Sequence, residues 1–288
     1  MKKLIILIAA VSILVAGCAT SGQVGRPAPV MVAAHLTDIH FNVGDDVPKR
    51  FQAALRHIRT THPEASLFLT TGDNVDGKSS VAVMAETYAT WKSIIDTELK
   101  GVSLYNTLGN HDYDFTSADP DAPYGKTAIL KHLNMPARYY SFDQGGWHFI
   151  LLDGTAFGGD KAQQEWLDRE LSSVDPKIPI AILSHQPIFS MGAATYYPND
   201  FIAGWKGLID KFIKHPNVKL CLSGHTHLYD RCYYNGVTYA CGGAVSGYWW
   251  DKTRAYHETW AGYGIVKFYA DGSCEYEYHS LKGIVTNP

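Results

Sequence analysis

The sequence predicts a mixed α/β protein in which two sheets pack together with helices outside. Three observations carry that prediction. Short apolar runs alternate with longer amphipathic ones, several pairs of runs flank a tight-turn dipeptide, and 46% of the 288 residues are apolar. That is ample material for a core, which excludes a disordered chain and a disulfide-dependent miniature scaffold. At roughly 100–200 residues per domain the length allows one large domain or two small ones. No composition break divides residues 30–288, and no repeat or low-complexity tract appears.

The elements follow in order. Residues 30–36 form a strand and 48–60 a helix, with Phe51, Leu55 and Ile58 at helical spacing. Strands at 66–69 and 102–106 enclose a helix at 81–97. Residues 139–142 and 148–152 flank Gly145-Gly146 as a hairpin. A helix at 162–171, a strand at 178–183, a helix at 201–214 and a strand at 219–222 come next. Asn235-Gly236, a strong type I′ turn signal, joins strands 228–234 and 237–241. Asp271-Gly272 joins 264–269 to 273–279.

The N-terminal segment is expected to be an address. Residues 1–17 join a basic head to an apolar run too short to span a bilayer, the form of a signal peptide. Val15-Ala16-Gly17-Cys18 resembles the bacterial lipobox, which implies a lipidated Cys18 followed by a linker to residue 29. The alternative is an ordinary signal cleaved near Ala19. One anchored end tethers a domain to a membrane without threading it through, so a lipoprotein in the periplasm, outer membrane or cell surface is expected. Export also bears on Cys221, Cys232, Cys241 and Cys274, an even number in an oxidising compartment. Their pairing stays open, as does the alternative of free buried thiols.

The charge balance excludes one class of partner. Lys and Arg number 25 against 28 Asp and Glu, and losing Lys2 and Lys3 leaves 23 basic residues and a net charge of −5. A nucleic-acid polymer calls for a basic stripe, so none is expected as a partner.

The polar clusters fall at strand ends. The strand at 30–36 runs into Asp38 and His40, that at 66–69 into Asp73, and that at 102–106 into Asn110-His111-Asp112. The strand at 178–183 runs into His185 and that at 219–222 into His225 and His227, so five of 13 histidines sit at such ends. Ligands gather beyond the carboxyl ends of strands in α/β sheets. Carboxylate and imidazole without thiolate suit zinc, iron, manganese or nickel. Asp38 and His40 are two apart, as are His225 and His227, so on extended chain each pair points to one side. Two cations about 3.5–4 Å apart need an anionic bridge, which a carboxylate such as Asp73 supplies. Gly72, Gly109 and Gly224 precede ligand positions, where tight turns are useful.

Asp38-x-His40, Gly72-Asp73-x-x-Asp76, Gly109-Asn110-His111-Asp112, His185 and Gly224-His225-x-His227 together resemble the calcineurin-like metallophosphoesterases. The five blocks stand in the family's order over most of the chain. The resemblance implies a four-layer α/β/β/α sandwich, two mixed sheets flanked by helices, with residues 30–288 as the catalytic domain. It implies two metal ions, one held by Asp38, His40, Asp73 and His227 and the other by Asp73, Asn110, His185 and His225. It implies a small phosphate-ester substrate attacked by a hydroxide bridging the metals. His111 would then protonate the leaving alkoxide, or only position substrate, and Asp112 would hold the His111 ring. Asp76 is given a structural role.

Departures narrow the subfamily. Purple acid phosphatases carry a tyrosine where this chain has Asp76, and protein phosphatases carry arginines where it has Gly77 and Leu108. What remains looks most like class III cyclic-nucleotide phosphodiesterases, so hydrolysis of cyclic nucleotides or other small diesters is expected. A periplasmic phosphomonoesterase or nucleotidase scavenging phosphate is the alternative. Residues 242–250, ending in Trp249-Trp250, resemble a segment of secreted relatives, and Tyr113, Phe115, Tyr196 and Tyr197 lie in neighbouring loops. The two tryptophans either stack a substrate group or pack the sheets. Arg138, Arg231 and Arg254 either meet a phosphate or stay solvated.

Overall fold

The computed structural model describes residues 27–77, 80–114 and 122–287. The expected leader, Cys18, most of the linker and Phe115 lie outside the described residues.

Strand β1 (Met31–Leu36) is buried at every residue, as a strand covered on both faces must be. It pairs in parallel with β2 (Leu67–Thr70), Ala33 opposite Leu67 and Leu36 opposite Thr70. Beyond it β3 (Ser103–Asn106) is also parallel. The antiparallel hairpin of β10 (Gly262–Phe268) and β11 (Cys274–Ser280) completes the other side, giving the order β11-β10-β1-β2-β3. The second sheet contains β4 (Tyr140–Gln144), β5 (Trp147–Leu151), β6 (Ile180–Leu183), β7 (Val218–Ser223), β8 (Asp230–Tyr234) and β9 (Val237–Cys241). Its order is β4-β5-β6-β7-β9-β8. Strands β5, β6, β7 and β9 are mutually parallel, and β4 and β8 are antiparallel edges.

Three apolar clusters separate four layers. Helices α1 (Val47–Thr61) and α2 (Val81–Glu98) lay Phe51, Leu55, Ile58 and Trp91 on Leu36, Phe68 and Ile265 of the first sheet. Between the sheets, Ala33 and Leu69 meet Phe149, Leu183, Leu220 and Leu222. Helices α4 (Lys161–Ser173) and α6 (Trp205–Lys214) lay Leu167, Leu171, Leu208 and Phe212 on Ile150, Ile182 and Cys221. The result is an α/β/β/α sandwich of two mixed sheets. Two single-turn helices, α3 (Ile129–His132) and α5 (Met191–Tyr196), escape a periodicity argument because they are too short to show one.

Element boundaries move for local reasons. Strand β6 starts after Pro179, which has no N–H for a ladder and offers only its carbonyl to the His148 N–H (2.9 Å). Helix α6 starts at Trp205, not 201, because Gly204 takes φ 85°, outside the helical region. Cys221 and Cys241 are buried and Cys232 and Cys274 half-buried, with no disulfide among the described residues. No described helix is long and apolar enough to cross a membrane.

Candidate metal centre

The loops that leave the parallel strands are laced together by their backbones. The Asp38 N–H donates to Gly72 (3.1 Å), the His40 N–H to Asp73 (2.9 Å) and the Thr107 N–H to Thr70 (3.0 Å), each at the carbonyl. Asp38 (φ 49°), His40 (φ 45°), Asp73 (φ 50°), His225 (φ 75°) and His227 (φ 59°) all take left-handed backbone. The Asp38/His40 and His225/His227 pairs therefore converge through tight turns and not through the side-to-side alternation of extended chain expected from their spacing. Residues outside glycine rarely adopt this conformation without surroundings that enforce it. Five such residues at one rim mark a functional constraint. At Gly109 and Gly224 close approach excludes any side chain: a Cβ would strike the Asp73 carboxylate at the first and the Thr37 hydroxyl and Asp38 carboxylate at the second.

Two donor sets result. In the first, His40 Nε2 lies 3.0 Å from His227 Nε2, and His227 Nε2 is 3.6 Å from Asp38 Oδ1. In the second, His185 Nε2 lies 3.1 Å from both Asn110 Oδ1 and His225 Nδ1 and 3.2 Å from Asp73 Oδ2. Asp73 Oδ2 is also 3.6 Å from His40 Nε2, which puts Asp73 between the sets. Two of the remaining ring nitrogens are fixed by carbonyls. His227 Nδ1–H donates to Gly247 (2.9 Å) and His185 Nδ1–H to Thr71 (2.7 Å), which aims each Nε2 inward as metal ligation requires. The Asp38 carboxylate is oriented by the Thr37 hydroxyl (2.7 Å) and the His225 N–H (2.8 Å).

Electrostatics agree with cation binding. The Asp73 carboxyl is buried, which favours its neutral form, yet His185, His40 and His111 hold it well below the usual range. Burial opposes charge on His185, but the Asp73 carboxylate outweighs it and carries that ring up to about 9. Burial holds His40 down at about 3 and, with the neighbouring His185, His225 at about 4. Imidazole nitrogens facing one another, His40 with His227 and His185 with His225, are a poor arrangement alone and a good one around a positive ion. His40 Nδ1 is buried without a hydrogen-bond partner. The donor chemistry fits two borderline cations.

The residues around His111 differ from expectation. Asp112 Oδ1 accepts from the Asn74 and Val75 N–H groups (2.7 and 3.1 Å). Its Oδ2 accepts from the Gly109 N–H and Asn74 Nδ2 (2.7 and 3.2 Å). Asp112 thus clasps the second and third loops, and the ring partner is Asp76, whose Oδ1 is 3.2 Å from His111 Nδ1. The reason is geometric: the His111 N–H points at Asp73 Oδ1 (2.7 Å), which turns the next side chain back into the loop. Asp76, and not Asp112, meets the His111 ring.

Residues 31–229 match the calcineurin-like phosphoesterase family. This chain belongs to it. The phosphoesterase is 28% identical over 260 residues to the 3′,5′-cyclic-nucleotide phosphodiesterase alr5338 of Nostoc sp., spanning 85% of this chain and 90% of that protein. It is 27% identical over 192 residues to the 3′,5′-cyclic adenosine monophosphate phosphodiesterase CpdA of Escherichia coli K12, 64% of this chain and 62% of that one. A dimetal phosphatase from Danio rerio superposes with a TM-score of 0.61 at 16% identity, covering 84% of this chain and 93% of that structure. At that identity the likeness is one of fold. The family makes the chain a metal-dependent phosphoric ester hydrolase, and its two donor sets suit a dimetal centre.

The phosphoesterase separates its two neighbouring tryptophans. Trp250 is buried, donates from Nε1 to the His40 carbonyl (3.1 Å) and lies under the Arg50 guanidinium (5.1 Å). Trp249 is 47% exposed, with its ring 4.3 Å from that of His227. One indole packs and the other faces outward at the centre. Arg138 is committed to Asp153 and Asp160 (2.6 and 2.8 Å), Arg231 to the Tyr276 carbonyl (2.9 Å), and Arg254 to Asp251 (3.0 Å) and the Tyr248 ring. Sequence reasoning missed the bracing of the first loop by Ser246, whose hydroxyl donates to the Asp38 carbonyl (2.7 Å). The resemblance of residues 242–250 to a segment of secreted relatives marks that stretch but not this bond.

Proposed function

We propose that this phosphoesterase hydrolyses phosphodiesters, cyclic nucleotides or other small diesters, and acts as an exported lipoprotein. The observation that carries the reading is the meeting of two donor sets at Asp73. Asp38, His40, Asp73 and His227 would hold one ion, and Asp73, Asn110, His185 and His225 the other, drawn from manganese, iron, zinc or nickel. Bound cations supply Lewis acidity to the phosphoryl oxygens and a nucleophile from water at neutral pH. The chain's residues do the rest. His111 protonates the leaving alkoxide, and Asp76 at Nδ1 orients the ring so that Nε2 is the donating atom. Asp73 also fixes the His111 backbone, so donor and metals keep a common frame.

Two observations favour a diester over a monoester. Arg138, Arg231 and Arg254 are all engaged with protein groups, leaving none of the three as a clamp for a dianion. Relatives that match over 260 and 192 residues are named as cyclic-nucleotide phosphodiesterases. Hydrolysis of bis-aryl phosphate should exceed that of mono-aryl phosphate in kcat/KM, and His111→Ala should lower both about 10²–10⁴-fold. A diester/monoester ratio well below one would reject the diester reading. Export follows from residues 1–17 and Cys18, and fatty-acid labelling of cells should mark the wild-type chain and not Cys18→Ser.

A further inference from the structure

We propose that Trp249 and the cavity beside it form the subsite for a neutral planar group of the substrate, a nucleobase or aryl ring, on one phosphate substituent. The proposal rests on the phosphoesterase reading above and adds to it the residue that selects the substituent. The cavity measures about 740 Å³ and lies between residues 42–50 and 248–252, a size that suits one nucleoside-sized group. Trp249 lines it and also stands 4.3 Å ring to ring from His227 and 5.9 Å from His40. Asn42, also on its wall, donates to the His40 carbonyl (3.2 Å).

The indole is built to be where it is. Trp249 (φ 45°) and Trp250 (φ 65°) are consecutive left-handed residues, a strained arrangement for two bulky side chains. Its local effect is to send Trp250 into the core and leave Trp249 47% exposed beside the ligands. An indole presents a broad π-face, and stacking accepts any base while giving substantial affinity. Tyr256 lies 5.4 Å ring to ring from His227 and stands edge-on to Trp249 at 5.5 Å, which holds the indole beside the centre.

Charge decides against a second phosphate in this cavity. Arg50 and Lys252 both pair with Asp46, and Arg254 pairs with Asp251. The cavity's two cations, Arg50 and Lys252, thus share one carboxylate, and an anionic substituent would meet three acids on its wall, Asp45, Asp46 and Asp251. An uncharged ring meets no such penalty.

The test compares a nucleoside 3′,5′-cyclic phosphate with the matching abasic ribose cyclic phosphate, which has the same scissile bonds. Wild type, Trp249→Ala and Trp249→Phe are measured with metal content determined for each. The expected result is a base-bearing/abasic kcat/KM ratio of about tenfold or more in wild type, near one in W249A and largely retained in W249F. Equal metal content would show that the ligand loops are intact. Equal losses on both substrates in W249A, or a wild-type ratio near one, would overturn the subsite while leaving the phosphoesterase reading standing. A wild-type chain inert on both would overturn that reading and the subsite together.

Discussion

At the scale of single residues, two carboxylates near His111 exchange the jobs that spacing suggests. Asp112 follows His111 in sequence, yet its oxygens are saturated by three backbone N–H groups and one amide from the second and third loops. Asp76, three residues beyond Asp73, faces the His111 ring. The consequences are separable. Asp112→Asn puts amide hydrogens against N–H donors in a fully buried site and should cost about 3 kcal/mol, measured by denaturant unfolding. Asp76→Asn should leave unfolding nearly unchanged and lower kcat about 10–100-fold. A stability loss in Asp76→Asn matching that of Asp112→Asn would return Asp76 to a structural role. The residues that meet in the two donor sets were legible because metal binding restricts side-chain type. Which carboxylate orients His111 was not, because that depends on a turn.

At the scale of elements, the strands and long helices were legible because burial on one or both faces writes a period into the sequence. Helix α1 shows it in Phe51, Leu55 and Ile58, and β1 in an unbroken buried run. The loops carry no such period, and their geometry comes from φ angles that only the folded contacts enforce. The glycines were the exception, since a residue without Cβ marks close approach by its identity alone. Gly224 packs against Thr37 and Asp38 across the two sheets, which joins the loop after β7 to the loop after β1. Gly224→Ala should therefore destabilise the fold by about 2 kcal/mol and reduce metal retention more than an alanine at open Gly207. Equal metal content in both variants would show that this approach is not needed for ligation.

At the scale of the whole molecule, two parallel-centred sheets bring the carboxyl ends of β1, β2 and β3 against those of β6 and β7. Each sheet alone holds an incomplete donor set. Asp38 and His40 come from the first and His227 from the second, while Asp73 comes from the first and His185 and His225 from the second. The inter-sheet core of Leu69, Phe149, Leu183 and Leu222 thus sets the distance between ligands. The sandwich was legible from the motif order, but the register between its sheets was not, since nothing local in the chain encodes it. With 28 acidic residues against 25 basic ones, attraction for a phosphate ester falls mainly to the cations. Elemental analysis of the purified protein, paired with diester hydrolysis before and after chelation, tests this most directly. The account predicts two metal equivalents per chain, with hydrolysis lost on chelation and restored by added metal. A chain that binds no metal and gains no hydrolysis with manganese, iron, zinc or nickel would contradict it.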